Sequence, residues 1–201
     1  MPRRIDAEAR TAQIATAALR VLERDGLAGL SVRGVAAEAG IAAASLRRAF
    51  PTQHALREYC FVLIEERATA RMLALEGSGR DLVEALMAQL LPLDDERRTE
   101  LVAQVQLGIL ALTDDTLRPA AIRLSGAVDR ACRIAIDILA ESGSLGVGRD
   151  REYEANRLRA LVDGIAMHGL WNGTPDASAH MLDTLTRHVD ELARPDTTSP
   201  A

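Results

Sequence analysis

The side chains best suited to chemistry are the arginines of residues 31–50, SVRGVAAEAGIAAASLRRAF: Arg33, Arg47 and Arg48. A guanidinium is a planar fork of donors that matches two phosphate oxygens or the exposed edge of guanine. Their neighbours decide how these forks are presented. Ser31 reads as a helix N-cap, and Val32, Val35, Ala36 and Ala39 recur at helical spacing behind it. Gly40 stands where that helix must stop, because glycine enters the left-handed region without a steric penalty. Ile41 is expected to plug a small core. Leu46 and Phe50, four apart, give a second helix its own apolar stripe. Two short helices around a glycine turn make a helix-turn-helix, whose second helix can enter a DNA major groove.

The flanks support that reading. Residues 10–26 predict an amphipathic helix with Ile14, Ala18, Val21 and Leu22 on one face, closed by Gly26. Pro51 turns Phe50 away from helical angles, and Thr52 can cap the helix that follows. The charge divides in the same way. Residues 1–60 carry nine arginines against six acidic residues, and the rest carries 15 against 23, so a basic start precedes an acidic remainder within a net charge of −5.

The segment RTAQIATAALRVLERDGLAGLSVRGVAAEAGIAAASLRRAFPTQHAL, residues 10–56, resembles the DNA-binding domain of the TetR family of bacterial regulators. The resemblance rests on the Gly-x-x-x-Leu-Ser-Val link, the Ala-x-x-Ala-Gly-Ile turn and the Leu-x-x-x-Phe-Pro ending. Near the other end, Arg159-Ala-Leu-Val-Asp163-Gly164-Ile-Ala is similar to a segment of BetI-like members. The resemblance implies a DNA-facing set of Ser31, Arg33, Ala43, Ala44, Ser45, Arg47, Arg48, Thr52 and Gln53. It also implies an operator of double-stranded DNA, a homodimer and a small-molecule effector. The sequence departs from the family where a Tyr, a His and a Lys are common, at Arg47, Ala49 and Gln53. Ala42, Ala43 and Ala44 offer bases only methyl contacts.

A fold of about nine helices is expected. The aromatic content of 2% leaves packing to Ala and Leu, which favours helices. The fold class is all-α, with a three-helix DNA-binding domain over 1–51, a helical effector-binding and dimerisation domain over 52–194, and a disordered tail over 195–201. Beyond Phe50, helices are expected over 52–75, 81–91, 94–113, about 115–141, 150–172 and 176–194. The stripe of the 94–113 helix is read as Leu101, Val105, Ile109 and Leu112.

Gln104, His168 and Trp171 are polar or singular groups on apolar faces. Each alone reads as a buried or interface residue, but together they fall where the resemblance implies an effector cavity. Leu161, Ile165, Gly169, Met181, Leu185 and Val189 either pack within the subunit or form the four-helix dimer seam of the family. Nothing in the spacing of His54, His168, His180 and His188 marks a metal site, and no catalytic constellation or cofactor motif is found, so no enzyme activity is expected. Cys60 and Cys132 read as buried thiols. No apolar run nears the roughly 20 residues of a membrane helix and no signal peptide opens the chain, which predicts a cytoplasmic protein without a membrane partner. The alternative reading is a ligand-binding or protein-interaction module on the same fold with weakened DNA binding.

Overall fold

A computed structural model describes residues 2–173 and 176–195, with side chains from Arg10 onward. The tail expected to be disordered lies, beyond Pro195, outside the described residues. Among the described residues there are nine helices and no strand: α1 (Pro2–Gly29), α2 (Val32–Glu38), α3 (Ala43–Ala49), α4 (Gln53–Leu73), α5 (Gly79–Ala88), α6 (Asp95–Leu110), α7 (Arg118–Glu141), α8 (Arg151–Asn172) and α9 (Ala177–Leu192). The all-α expectation holds. No helix among the described residues is long and apolar enough to cross a membrane.

The chain forms two compact units, Met1–Arg67 with Val102–Ala121, and Ala68–Leu101 with Ile122–Ala201. These divisions do not follow the expected boundary at residue 51. The first unit takes in much of α4, and the later part of α6 with the start of α7 returns to it.

In the first unit α1 runs to a break at Gly26, whose φ of 65° and ψ of −172° no helix tolerates. Ile14, Ala18, Val21 and Leu22 are buried along one face, as their spacing predicted. Ser31 caps α2 by accepting from the Gly34 amide at 3.1 Å. Gly40, at φ 63°, makes the turn into α3. Leu46 is buried, whereas Ile41 and Phe50 are only half-buried. The expected Ile41 plug is therefore partial. Thr52 caps α4, its hydroxyl accepting from the Ala55 amide at 3.0 Å.

The stripe expected on α6 was placed on the wrong face. Ala103 and Leu107 are fully buried, while Ile109 and Leu112 are 62% and 78% exposed. The helix carries apolar residues almost all round, so periodicity alone did not choose a side.

The second unit closes around Val83, Met87 and Leu91 of the α5 region, Ala135, Ile136 and Leu139 of α7, Leu158 and Val162 of α8, and Leu185 and Val189 of α9. Asp150 caps α8 through the Tyr153 amide at 3.0 Å. Gly173, at φ 46°, ends it. Cys60 and Cys132 are free and buried, and burial pushes each thiol up to about 12.

A buried polar knot joins the two ends of the α8–α9 pair. Glu154, 2% exposed, accepts from Arg149 at 2.6 Å and Arg157 at 2.9 Å. Arg149 also donates to the carbonyls of Glu191 and Arg194 at the end of α9. Beside them His188 is buried, its Nε2 without a partner among the described residues. Burial first, then Arg157, holds the imidazole below the ordinary 6.5. Arg149 adds to this, and Glu191 and Glu154 oppose it. The consequence has a sign. Below pH 6.5 the unfolded chain takes up a proton that the folded chain refuses, so stability falls until the lowered folded value is passed. A His188→Gln chain is expected to lose less stability than the parent when titrated from about pH 7 to about pH 5. Parallel melting-temperature profiles would refute this.

Candidate nucleic-acid interface

The short helices α2 and α3 present the arginines named from the sequence. Arg33 stands on the first turn of α2, and Arg47 and Arg48 on the last turn of α3. All three are exposed, and none has an ion-pair or hydrogen-bond partner among the described residues. The contrast with α1 is informative. Arg20 and Arg24 both pair with Glu38, and Arg24 also pairs with Asp25. Intramolecular pairing thus neutralises that face and leaves three unspent charges on the two reading helices.

Other members of the expected DNA-facing set are engaged within the protein. The Ser31 hydroxyl caps α2, and Thr52 caps α4. Ser45 accepts from Arg10 of α1. Gln53 is exposed, and its Nε2 donates to the Leu30 carbonyl at 3.1 Å. Gln53 is therefore a brace in this structure, at a position where the family commonly has a phosphate-seeking lysine. Ala43 is half-buried and Ala44 exposed, so Ala44 is the methyl that α3 presents outward. The Phe50 and Tyr59 rings meet at a tilt of 46° with centroids 4.9 Å apart.

The expected effector residues fall in both units. Gln104 is half-buried in the first unit, whereas His168 and Trp171 belong to the second. Trp171 is 69% exposed rather than buried. His168 opens onto a groove of about 410 Å³ between α8 and α9, lined also by Ile165, Asn172, His180, Met181 and Thr184.

The residues of the expected dimer seam differ in burial within the single chain. Met181, Leu185 and Val189 are buried within the chain itself, 4%, 1% and 1% exposed. Leu161 and Ile165 are half-buried. Gly169 admits Met181, whose Sδ occupies the place where a Cβ would stand. On α8 the buried face is Ala155, Leu158, Val162 and Ala166, one residue out of step with the expected stripe. Gln106 of α6, which accepts from the Leu27 amide, carries no signal in its own sequence neighbourhood. The Gly26 break does signal an orphaned amide in its wake, but not which distant side chain satisfies it.

A helix-turn-helix with unspent arginines on both of its short helices, joined to a separately packed helical unit, defines a DNA-binding regulator of the one-component type. Comparison with known proteins places it further. Residues 14–60 match the family described as bacterial regulatory proteins, tetR family, and residues 79–194 match the C-terminal domain of BetI-type transcriptional repressors. The chain belongs to the TetR family of transcriptional regulators. It is similar to the HTH-type transcriptional regulator PksA of Bacillus subtilis (strain 168), 30% identical over 98% of this chain and 96% of that one. Among solved structures, a transcriptional regulator from Rhodococcus sp. Rha1 matches with a TM-score of 0.75 at 23% identity, over 90% of this chain and 94% of that one. The multidrug binding protein EbrR, solved with imidazole, matches with a TM-score of 0.62 at 30% identity, over 99% and 96%. EbrR has also been solved with proflavin, where the TM-score is 0.55 at 29% identity, over 89% and 99%.

Proposed function

We propose that the protein is a homodimeric repressor that binds a palindromic operator and is released by a small molecule held in its second unit. The observation carrying the DNA half is the trio Arg33, Arg47 and Arg48, exposed and without a partner among the described residues, while Arg20 and Arg24 of α1 are paired with acids. Two copies would place two α3 helices in successive major grooves, about 34–36 Å apart on unbent B-form DNA. Arg47 and Arg48, at the C-terminal end of α3, serve as phosphate contacts, and Arg33 as a base or phosphate contact.

The dimer surface this reading needs is the outward face of the last two helices. Trp171 and Leu182 are large apolar side chains exposed there, and Gly164 of α8 has open space where a side chain would stand. The BetI-type C-terminal match and the EbrR complexes support an effector. Tyr153 and Trp171 of the second unit are both exposed, and a ligand held in the groove between α8 and α9 would meet Ile165 and Met181 together with the polar groups of His168, Asn172, His180 and Thr184.

The test is a titration of the duplex from upstream of the protein's own gene across a range of salt. Arg47→Ala and Arg48→Ala should each flatten the slope of log affinity against log salt by about one unit per lost phosphate contact. A slope that is unchanged in both variants, or a parent that binds no duplex, overturns the DNA assignment of these residues.

A further inference from the structure

The link between the Gly26 break of α1 and the start of α2, residues 27–31, carries the whole reading head, and two glutamine amides grip it. The break at Gly26 leaves the Leu27 amide without its helical acceptor, and Leu27 is fully buried. An unpaired buried N–H is costly, so something must accept from it. The acceptor is Gln106 Oε1 of α6, 2.6 Å away and 79 residues along the chain. The fit is close on the other side as well. A Cβ on Gly26 would stand 2.9 Å from Gln106 Nε2 and 3.1 Å from Oε1, so the amide lies flat against the bare glycine. Three residues further on, Gln53 of α4 donates to the Leu30 carbonyl at 3.1 Å.

We propose that Gln106 and Gln53 are positioning residues that clamp this link and set the angle at which α2 and α3 are held out to DNA. Neither touches the DNA. Gln106 accepts at the start of the link and Gln53 donates near its end, so rotation of the link about either hydrogen bond is opposed by the other. Because Leu27 and Leu30 are both fully buried, the link has little freedom left once both amides are in place. The inference rests on the reading of the protein as a DNA-binding regulator.

The experiment uses the full-length chain and two duplexes, one selected from a random pool by the parent protein and one of mixed sequence at low salt. Electrostatic binding to the mixed duplex depends on the arginine charges, whereas selection depends on where they point. Gln106→Leu is expected to weaken binding to the selected duplex by about tenfold, comparable to losing one base contact, with binding to the mixed duplex unchanged. Gln106→Glu, which keeps an acceptor oxygen at the same reach, should retain parental selectivity. Gln53→Leu should act in the same direction as Gln106→Leu. Independently of DNA, amide hydrogen exchange at Leu27 should accelerate about threefold to tenfold in Gln106→Leu and not in Gln106→Glu. Equal losses on both duplexes, tracking a lower melting temperature, would make Gln106 a stability residue only and overturn the proposal. So would unchanged exchange at Leu27. A parent that selects no duplex defeats the DNA reading, and with it the positioning role, while the exchange measurement still decides whether the Leu27 bond exists.

Discussion

A Leu185→Arg chain is expected to lose the fold of its second unit rather than to yield a folded monomer. Leu185 is 1% exposed within a single chain, in the cluster that also contains Leu158, Val162 and Val189. An arginine there has no acid among the cluster residues to pair with, and a buried charge without a partner is among the few single changes that cost more than about 4 kcal/mol. The expected measurement is a loss of cooperative thermal unfolding, with far-ultraviolet dichroism reduced at ordinary temperature. The contrasting variant is Leu182→Arg. Leu182 is 40% exposed on the same helix, so the substitution should leave the stability of the single chain within about 0.5 kcal/mol of the parent's. If α8 and α9 form the dimer, sedimentation should show Leu182→Arg dispersed and folded. A folded, monomeric Leu185→Arg would mean that this face is solvent-accessible in the free chain, contrary to the packing described.

That pair of variants also shows where the sequence was legible. The reading head was, because each local signal there is chemically specific: a serine before a helix, a glycine at a left-handed turn, a threonine after a proline. Ser31, Gly40 and Thr52 all do in the structure what their types demanded. The second unit was not legible at the level of faces. On α8 alanine, leucine and methionine recur on several sides, so the same periodicity fits a core stripe and an interface stripe one residue apart, whereas on α9 the stripe of Met181, Leu185 and Val189 is the buried one. Leu161 and Ile165 were read where Leu158 and Val162 are buried. The clamp was illegible for another reason. Gly26 announces a broken helix, but a partner 79 residues away leaves no local trace. Gln53 shows the converse case, since its place in a family pattern suggested phosphate while its amide is committed to Leu30. Gln104 was singled out on α6 when Gln106, two residues on, holds the hydrogen bond.

Removing the Glu154 carboxylate should be among the most damaging polar changes in the protein, and removing its principal partner as well should undo most of the damage. Glu154 lies 2% exposed between Arg149 and Arg157. Arg149 is the consequential partner: its side chain is 11% exposed, whereas that of Arg157 is 41% exposed, so water can stabilise the latter and its ion pair adds little. Glu154→Leu therefore leaves the Arg149 charge buried with only the Glu191 and Arg194 carbonyls for company, at an expected cost of about 3–5 kcal/mol. Those carbonyls belong to the end of α9, where a cation is electrostatically favoured, so the loss should sit toward the lower end of that range. Replacing both as Arg149→Met with Glu154→Leu removes the charge together with its counter-charge. An apolar pair of similar volume often matches a buried ion pair, so the double variant should recover most of the deficit despite the α9 carbonyls it abandons. Denaturant melts of the parent, both single variants and the double variant close the cycle. A Glu154→Leu chain within about 1 kcal/mol of the parent would show that Arg149 reaches water in solution. The buried knot would then not be what ties the start of α8 to the end of α9.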